Sequence, residues 1–171
     1  MPKPPSTNAV RGQMIVVGID PGAGGGMAVL VGGTLTSFGK MPATEGDLLL
    51  WFQDLRKNAG ETLIYACIEK VGGYTGQGQP GSAMFNFGWG YGSVRMAAMA
   101  VGCSLEEVTP RTWQKQFGVT PRGKDEKKSA FKNRLKAKAQ QLVPGAPLTL
   151  ATCDALLIAI YHQRQLMGKL Q

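Results

Sequence analysis

Eight of the eleven carboxylates in this chain, Glu45, Asp47, Asp54, Glu61, Glu106, Glu107, Asp125 and Glu126, lie in polar or loop-like stretches. Three do not. Asp20 ends the apolar run MIVVGI, Glu69 ends LIYACI, and Asp154 precedes ALLIAIY. A carboxylate at the rim of a hydrophobic element must offset its desolvation, and a hard divalent cation does this through oxygen ligands. If the strands ending in Asp20 and Glu69 run parallel as neighbours, their C-terminal ends stand about 4.8 Å apart. The two carboxylates then share a metal at the sheet's switch point, with Asp154 closing the cluster from the side. Two Mg²⁺ ions held about 3.5 to 4 Å apart in this way activate water and stabilise the leaving oxygen in an in-line attack on a phosphodiester. Each residue has a plainer use alone: Asp20 as a turn residue, Glu69 as a partner for Lys70, Asp154 as an acid at a helix start. The trio is what carries the chemistry.

Other chemistries find little support. Cys67, Cys103 and Cys153 are odd in number, far apart and without a C-x-x-C pair, so free buried thiols are expected rather than disulfides or a zinc site. His162 is the only histidine, which removes histidine-based zinc chemistry and argues against a Ser-His-Asp triad; its expected role is packing. The glycines of DPGAGGG suit a phosphate cradle, but ATPases built that way need a second such loop in a duplicated fold, and 171 residues are too few for it.

The elements that position the trio follow from hydrophobic pattern. Residues 1–12, rich in proline and polar groups, read as a flexible tail, and 13–171 as one domain. Met14–Ile19, Met27–Val31 and Thr34–Phe38 read as three strands joined by glycine-rich turns. Leu48, Leu49, Trp51, Phe52 and Leu55 have helical spacing after Thr44 as an N-cap, and Leu63–Glu69 is a buried-type strand. Ser82–Val101 reads as an apolar helix despite Gly88, Gly90 and Gly92. Leu105–Val108 is a short strand, Pro110–Phe117 a helical turn, Asp125–Leu142 a basic amphipathic helix, and Leu148–Gln165 the last helix. The sum is an α/β domain: a mixed five-stranded sheet flanked by helices.

Lys and Arg number 19, giving a net charge of +8, which favours a polyanionic partner, nucleic acid first. Lys115, Arg122, Lys124, Lys127, Lys128, Lys132, Arg134, Lys136 and Lys138 concentrate that charge, balanced locally only by Asp125 and Glu126. Phosphate contact is expected of this segment, although its helical members cannot all face one DNA surface. Tyr74, in the glycine-rich loop after Glu69, is placed to stack on an opened base. The excess of apolar residues in Met84, Phe85, Phe87, Trp89, Tyr91, Val94, Met96 and Met99 suits a dimer interface. No run of 18 apolar residues and no secretory pattern occurs, so a cytoplasmic protein is expected.

GIDPGAGGGMAVL, IEKVGG, VTPRTWQKQFGV with GKDEKKS after it, and CDALLIAIYH, in this order and at these separations, resemble the RuvC-like Holliday junction resolvases, particularly their short phage forms. The resemblance spans roughly Met14 to Arg164. It implies a ribonuclease-H-like fold and a homodimeric endonuclease that nicks opposing strands of a four-way DNA junction with Mg²⁺ or Mn²⁺. Asp20, Glu69 and Asp154 fall on the family's acidic positions. Lys115 and Lys128 fall near basic residues that approach the scissile phosphate or the backbone. One position departs: the family commonly has a fourth ligand, Asp or His, one helical turn before the last aspartate, where this chain has Ala151. Either three carboxylates suffice with water and substrate oxygens, or another group contributes, or the residue there has been exchanged. The alternatives to a junction resolvase are a junction-binding protein of the same fold that cuts weakly, and a ribonuclease-H-like nuclease acting on flaps or RNA–DNA hybrids.

Overall fold

β-branched and apolar runs separated by glycines give five strands: β1 (Ile15–Asp20), β2 (Gly26–Val31), β3 (Thr34–Lys40), β4 (Ile64–Glu69) and β5 (Ser104–Val108). Five helices intervene or follow: α1 (Glu45–Ala59), α2 (Gly81–Ala100), α3 (Pro110–Gln116), α4 (Lys128–Leu142) and α5 (Cys153–Lys169). They are seen in a computed structural model that describes residues 2–6, 13–70, 72 and 80–169. The strands form one mixed sheet in the order β3-β2-β1-β4-β5. β1, β2 and β3 make an antiparallel meander, while β4 lies parallel to β1 and β5 parallel to β4.

Strand parity sorts the core into two halves. Ile15, Val17, Ile19, Ile64, Ala66 and Ile68 face α1 and α2, whose Trp51, Phe52, Leu55, Val94 and Ala98 cover them. Val16 and Cys67 point the other way, into a core with Trp113, Leu135, Leu156 and Ala159 from α3, α4 and α5. Each fully buried large side chain of this kind contributes about 1.5–3 kcal/mol. The same parity puts Asp20 and Glu69 on the α5 side of the sheet.

Local capping agrees with the sequence. Thr44 accepts the Asp47 N–H at 3.1 Å to start α1, and Thr109 accepts the Thr112 N–H at 3.3 Å ahead of Pro110, which occupies the first turn of α3. Two helix starts differ from expectation by three residues or more. The basic helix begins at Lys128 rather than Asp125, because Glu126 folds back to accept the Gly123 N–H at 3.3 Å and to pair with Arg134. The last helix begins at Cys153 rather than Leu148, because Thr149 and Thr152 close a turn on each other, with the Thr149 N–H donating to Thr152 Oγ1 at 3.0 Å.

The N-terminal stretch expected to be a flexible tail is packed where it is described. Ser37 Oγ donates to the Lys3 carbonyl, and Asn58 Nδ2 donates to the Pro5 carbonyl at 2.8 Å. Pro2 lies so close to Gly39 that a Cβ there would stand 2.9 Å from its nitrogen. Residues 2–6 therefore cover part of the edge strand β3, a position where an exposed ladder invites pairing with another chain. Among the described residues no helix is long and apolar enough to cross a membrane.

Candidate active site

The β1–β4 register carries Ile19 opposite Ile68, so Asp20 and Glu69 follow side by side at the C-terminal ends of parallel neighbours. The third carboxylate arrives on a helix that lies almost against the backbone of β1. A Cβ on Gly18 would stand 2.1 Å from the Ala155 carbonyl and 2.4 Å from the Ala159 nitrogen. Only glycine permits that approach, and it sets Asp154, one residue before Ala155, in the first turn of α5 beside the strand ends. That location at a helix N-terminus favours a negative charge. Asp154 is 3% exposed.

The glycine-rich turn after β1 serves Asp20 itself. The Gly22 N–H donates to Asp20 Oδ1 at 3.3 Å, and a Cβ on Gly25 would stand 2.8 Å from the same oxygen. DPGAGGG thus wraps its own carboxylate. Glu69 is oriented by Trp113, a fully buried residue of α3 whose indole N–H donates to Oε2 at 2.8 Å. Asp154 accepts the Cys153 thiol on Oδ1 at 3.3 Å and the Lys132 ammonium on Oδ2. The Lys132 ammonium also stands 3.9 Å from Asp20 Oδ2.

The electrostatics show a cluster short of positive charge. Burial pushes the Glu69 carboxyl up to about 7; the Asp20 charge adds to the shift, and the Trp113 hydrogen bond and Lys132 only partly oppose it. Asp20 is also raised, first by burial, against the lowering pull of Lys132 and with a further upward push from Asp154. For Lys132, burial works downward, but the charge and hydrogen bond of Asp154, then the charge of Asp20, outweigh it and hold the ammonium's pKa above the usual lysine value.

A divalent cation fits this donor set in chemistry: hard oxygens, desolvated, and only partly neutralised by Lys132 and the weaker pull of Lys128. In the arrangement seen, no three His, Cys, Asp or Glu side chains among the described residues stand at ready-made coordination spacing. Lys132 takes part of that space. Asp20 and Glu69 are the carboxylates with most capacity left. Glu69 Oε1 has no protein donor among the described residues, and Asp20 Oδ2 has only the distant Lys132.

Two clefts open from the cluster. One, of about 450 Å³, is lined by Glu69, Gln114, Arg122, Lys128, Lys132 and Asp154. The other, of about 710 Å³, runs past Asp20, Gly22, Lys40, Lys128, Lys132 and Ala151. Arg122 and Lys128 line the clefts beside the cluster. Lys115 does not; it is exposed on α3 in a separate hollow with Arg111 and Gln114. Lys124 and Lys127 are exposed and line neither cleft. Arg134 is paired with Glu126 at 2.7 Å and lines neither cleft. Tyr74 lies outside the described residues. His162 is buried, with neither ring nitrogen hydrogen-bonded among the described residues, which fits a packing role.

Sequence reasoning missed Trp113 and Lys132. Trp113 reads as an ordinary core aromatic, since periodicity does not show where its one N–H points. Lys132 was absorbed into a basic helix face. The available signal was its place between Phe131 and Leu135, on the side of α4 that turns toward the core.

No protein-family model matches the chain, and no curated protein does. Solved structures do. A structure of Thermus thermophilus RuvC superposes with a TM-score of 0.59 at 20% identity, over 91% of this chain and 97% of that one. T. thermophilus RuvC in complex with a Holliday junction substrate gives a TM-score of 0.63 at 19% identity, over 91% and 96%. With its five-stranded sheet, its strand order and its flanking helices, this chain has the RuvC-like, ribonuclease-H-like fold.

Proposed function

We propose that the protein is a divalent-metal-dependent endonuclease that nicks four-way DNA junctions, using Mg²⁺ or Mn²⁺ and acting as a homodimer. The observation that carries this reading is the convergence of Asp20, Glu69 and Asp154 from β1, β4 and α5, next to Arg122, Lys128 and Lys132, in a chain with the fold of RuvC. A bound divalent ion supplies a water of lowered pKa and a charge that stabilises the leaving oxygen. The chain's own residues do the positioning. Trp113 and the Gly22 N–H fix the Glu69 and Asp20 carboxylates before any ligand arrives, so little reorganisation is left for the reaction. Lys128 and Arg122 line the mouth of the cleft and offer cationic hydrogen-bond donors to the phosphate backbone. Dimer assembly supplies two identical sites to a two-fold symmetric substrate. Its surface is the outer side of α2, where Phe85, Trp89, Met96 and Met99 are exposed. Met84, Phe87 and Tyr91, named with them from the sequence, are half-buried instead.

The test is a substrate panel of labelled four-way junction, flap, linear duplex and RNA–DNA hybrid, with and without Mg²⁺. Metal-dependent paired nicks in the junction, in preference to the others, are expected. Gel shift of the junction without incision at any metal concentration would move the protein to the weakly cutting, junction-binding class, and preferential cutting of hybrids or flaps would move it to the third. Asp20→Asn, Glu69→Gln and Asp154→Asn should each lower incision by about 10³-fold or more, roughly 4 kcal/mol of barrier, while junction binding persists. Near wild-type cutting by two of these three variants would show that the cluster is not the active site.

A further inference from the structure

The carboxylate cluster has a cation built into it. Lys132 comes from the face of α4 that meets the sheet ends, and its ammonium binds Asp154 Oδ2 while standing 3.9 Å from Asp20 Oδ2. The Cys153 thiol engages the other Asp154 oxygen, so both oxygens of that carboxylate already have protein donors. On the same side of the site, at the position one turn before Asp154, the chain has Ala151, which lines the cleft with Lys132 and brings no ligating side chain. Three carboxylates, one ammonium and one divalent ion balance in charge. A second divalent ion beside Lys132 would leave the centre with excess positive charge and would have to share Asp154 with the ammonium.

We infer that Lys132 is the second cation of this centre, taking the charge-balancing part that another ion has in a two-metal nuclease, so that the chain takes up a single divalent ion, which Asp20 and Glu69 would hold. The inference rests on the metal-dependent reading above and concerns how many ions that reading needs. Lys132 neutralises Asp154 and turns its remaining N–H donors toward the cleft, where a phosphate oxygen would meet them. Lysine suits the task because its compact ammonium carries charge on a long stem and can hold a carboxylate and a phosphate at once.

The experiment counts ions rather than cuts. Mn²⁺ uptake by the full chain is measured by equilibrium dialysis and electron paramagnetic resonance, for the protein alone and on a four-way junction, with the uptake of the DNA itself subtracted. Wild type should bind about one Mn²⁺ per chain and show a mononuclear spectrum, against about two in a two-metal centre. Lys132→Met, checked for fold by circular dichroism, should take up about twice as much Mn²⁺ and show an exchange-coupled pair. Lys132→Arg should keep the wild-type count. Two ions in wild type, or an unchanged count and affinity in a folded Lys132→Met, would overturn the inference while leaving a metal-dependent nuclease in place. No uptake at all by wild type would remove the metal reading and this inference with it. If Lys132→Met does not fold, the wild-type count alone decides between one ion and two.

Discussion

Helices α5 and α2 lie on opposite faces of the same sheet, and they meet it in opposite ways. In α5 every residue from Cys153 to Ala159 is buried, and the Gly18–Ala155–Ala159 contact brings helix backbone against strand backbone. In α2 only Val94, Ala97 and Ala98 are buried, all toward its C-terminal end. There Arg56 of α1 ties its end down by donating to the Val101 carbonyl at 2.8 Å and the Gly102 carbonyl at 3.3 Å. The other half of α2 leaves Phe85 65% and Trp89 58% exposed. Glycine illustrates the contrast. At Gly18 its missing side chain sets the depth of α5 and hence the place of Asp154. At Gly88, Gly90 and Gly92 an added Cβ would meet nothing within 4 Å. One helix is fixed by contact along the turn that carries Asp154; the other leaves an apolar surface exposed.

The largest effect should come from removing that fixed contact. Gly18→Ala forces a Cβ into backbone atoms that cannot rotate away, so α5 must move outward. Overpacking of this kind costs about 1–3 kcal/mol, and a shift into the backbone belongs at the upper end, roughly 6–12 °C in Tm for a chain of this size. Incision should fall more than stability does, since displacement of Asp154 by about 1 Å is worth on the order of 10²-fold in rate. Thermal melts and single-turnover cleavage check both. A Gly18→Ala protein with wild-type Tm and rate would mean that α5 does not owe its position to this contact.

The same rigidity implies a pH effect in metal-free protein. Glu69 has its folded-state pKa raised from 4.5 to about 7 by burial first and Asp20 second. The folded state then binds more protons than the unfolded state between those values, so stability falls as pH rises through the window and levels off above it. Full conversion of the shift gives about 3 kcal/mol as an upper value. Asp20, also raised, acts in the same direction. Denaturant melts in chelator from pH 4.5 to 8 should show the decline, Glu69→Gln should flatten much of it, and Mg²⁺ should restore stability at the upper end. A metal-free protein that grows more stable over this range would contradict the desolvated, under-neutralised cluster.

How much of this was legible beforehand follows the same division. The strands were readable from apolar runs set between glycine-rich turns, and the nearness of Asp20 and Glu69 follows from the parallel pairing of β1 and β4, which the sequence offers only as a condition and the structure supplies. The helix carrying Asp154 was readable as a helix, but its true start at Cys153 depended on a side-chain turn between Thr149 and Thr152 that hydrophobic periodicity does not register. Lys132 and Trp113 were not legible as site residues. Their roles depend on which way one polar atom points at the end of a long or planar side chain, and that is settled by packing of α4 and α3 against α5. On α2 the apolar excess is visible in the sequence but not which of its members face outward, since glycines at 88, 90 and 92 blur the amphipathic stripe.

A smaller effect should appear on the other face. Met96 is 61% exposed beside Leu49, Trp89 and Gly92 in an apolar groove between α1 and α2. Met96→Glu should leave monomer stability within about 0.5 kcal/mol, as a surface change does. It should weaken self-association by about 2 kcal/mol, in the range for a charge placed among interface anchors. Light scattering over a concentration series reads the result as a mass falling toward that of one chain. An unchanged dimer would place the interface elsewhere, and a wild type that is monomeric both free and on the junction would remove the dimer from the proposed function.

The smallest effect is the most discriminating, because it repeats the Gly18 substitution on α2 and expects the opposite sign. Gly92 is exposed and helical, and an added Cβ there meets nothing within 4 Å. Alanine lowers the backbone entropy lost on folding and favours the helix by about 0.8–1 kcal/mol over glycine, worth roughly 2–4 °C in Tm. This gain should be seen in full in the Met96→Glu background, where the chain stands alone. In the wild-type background it should shrink or reverse if a second copy approaches α2 closely over Gly88 and Gly92, since the added methyl group would then meet the partner. Equal stabilisation in both backgrounds would say that the glycines of α2 do not serve a close interface. Destabilisation in the monomeric background would say that they serve the chain's own fold, and that the contrast between the two helices is one of degree.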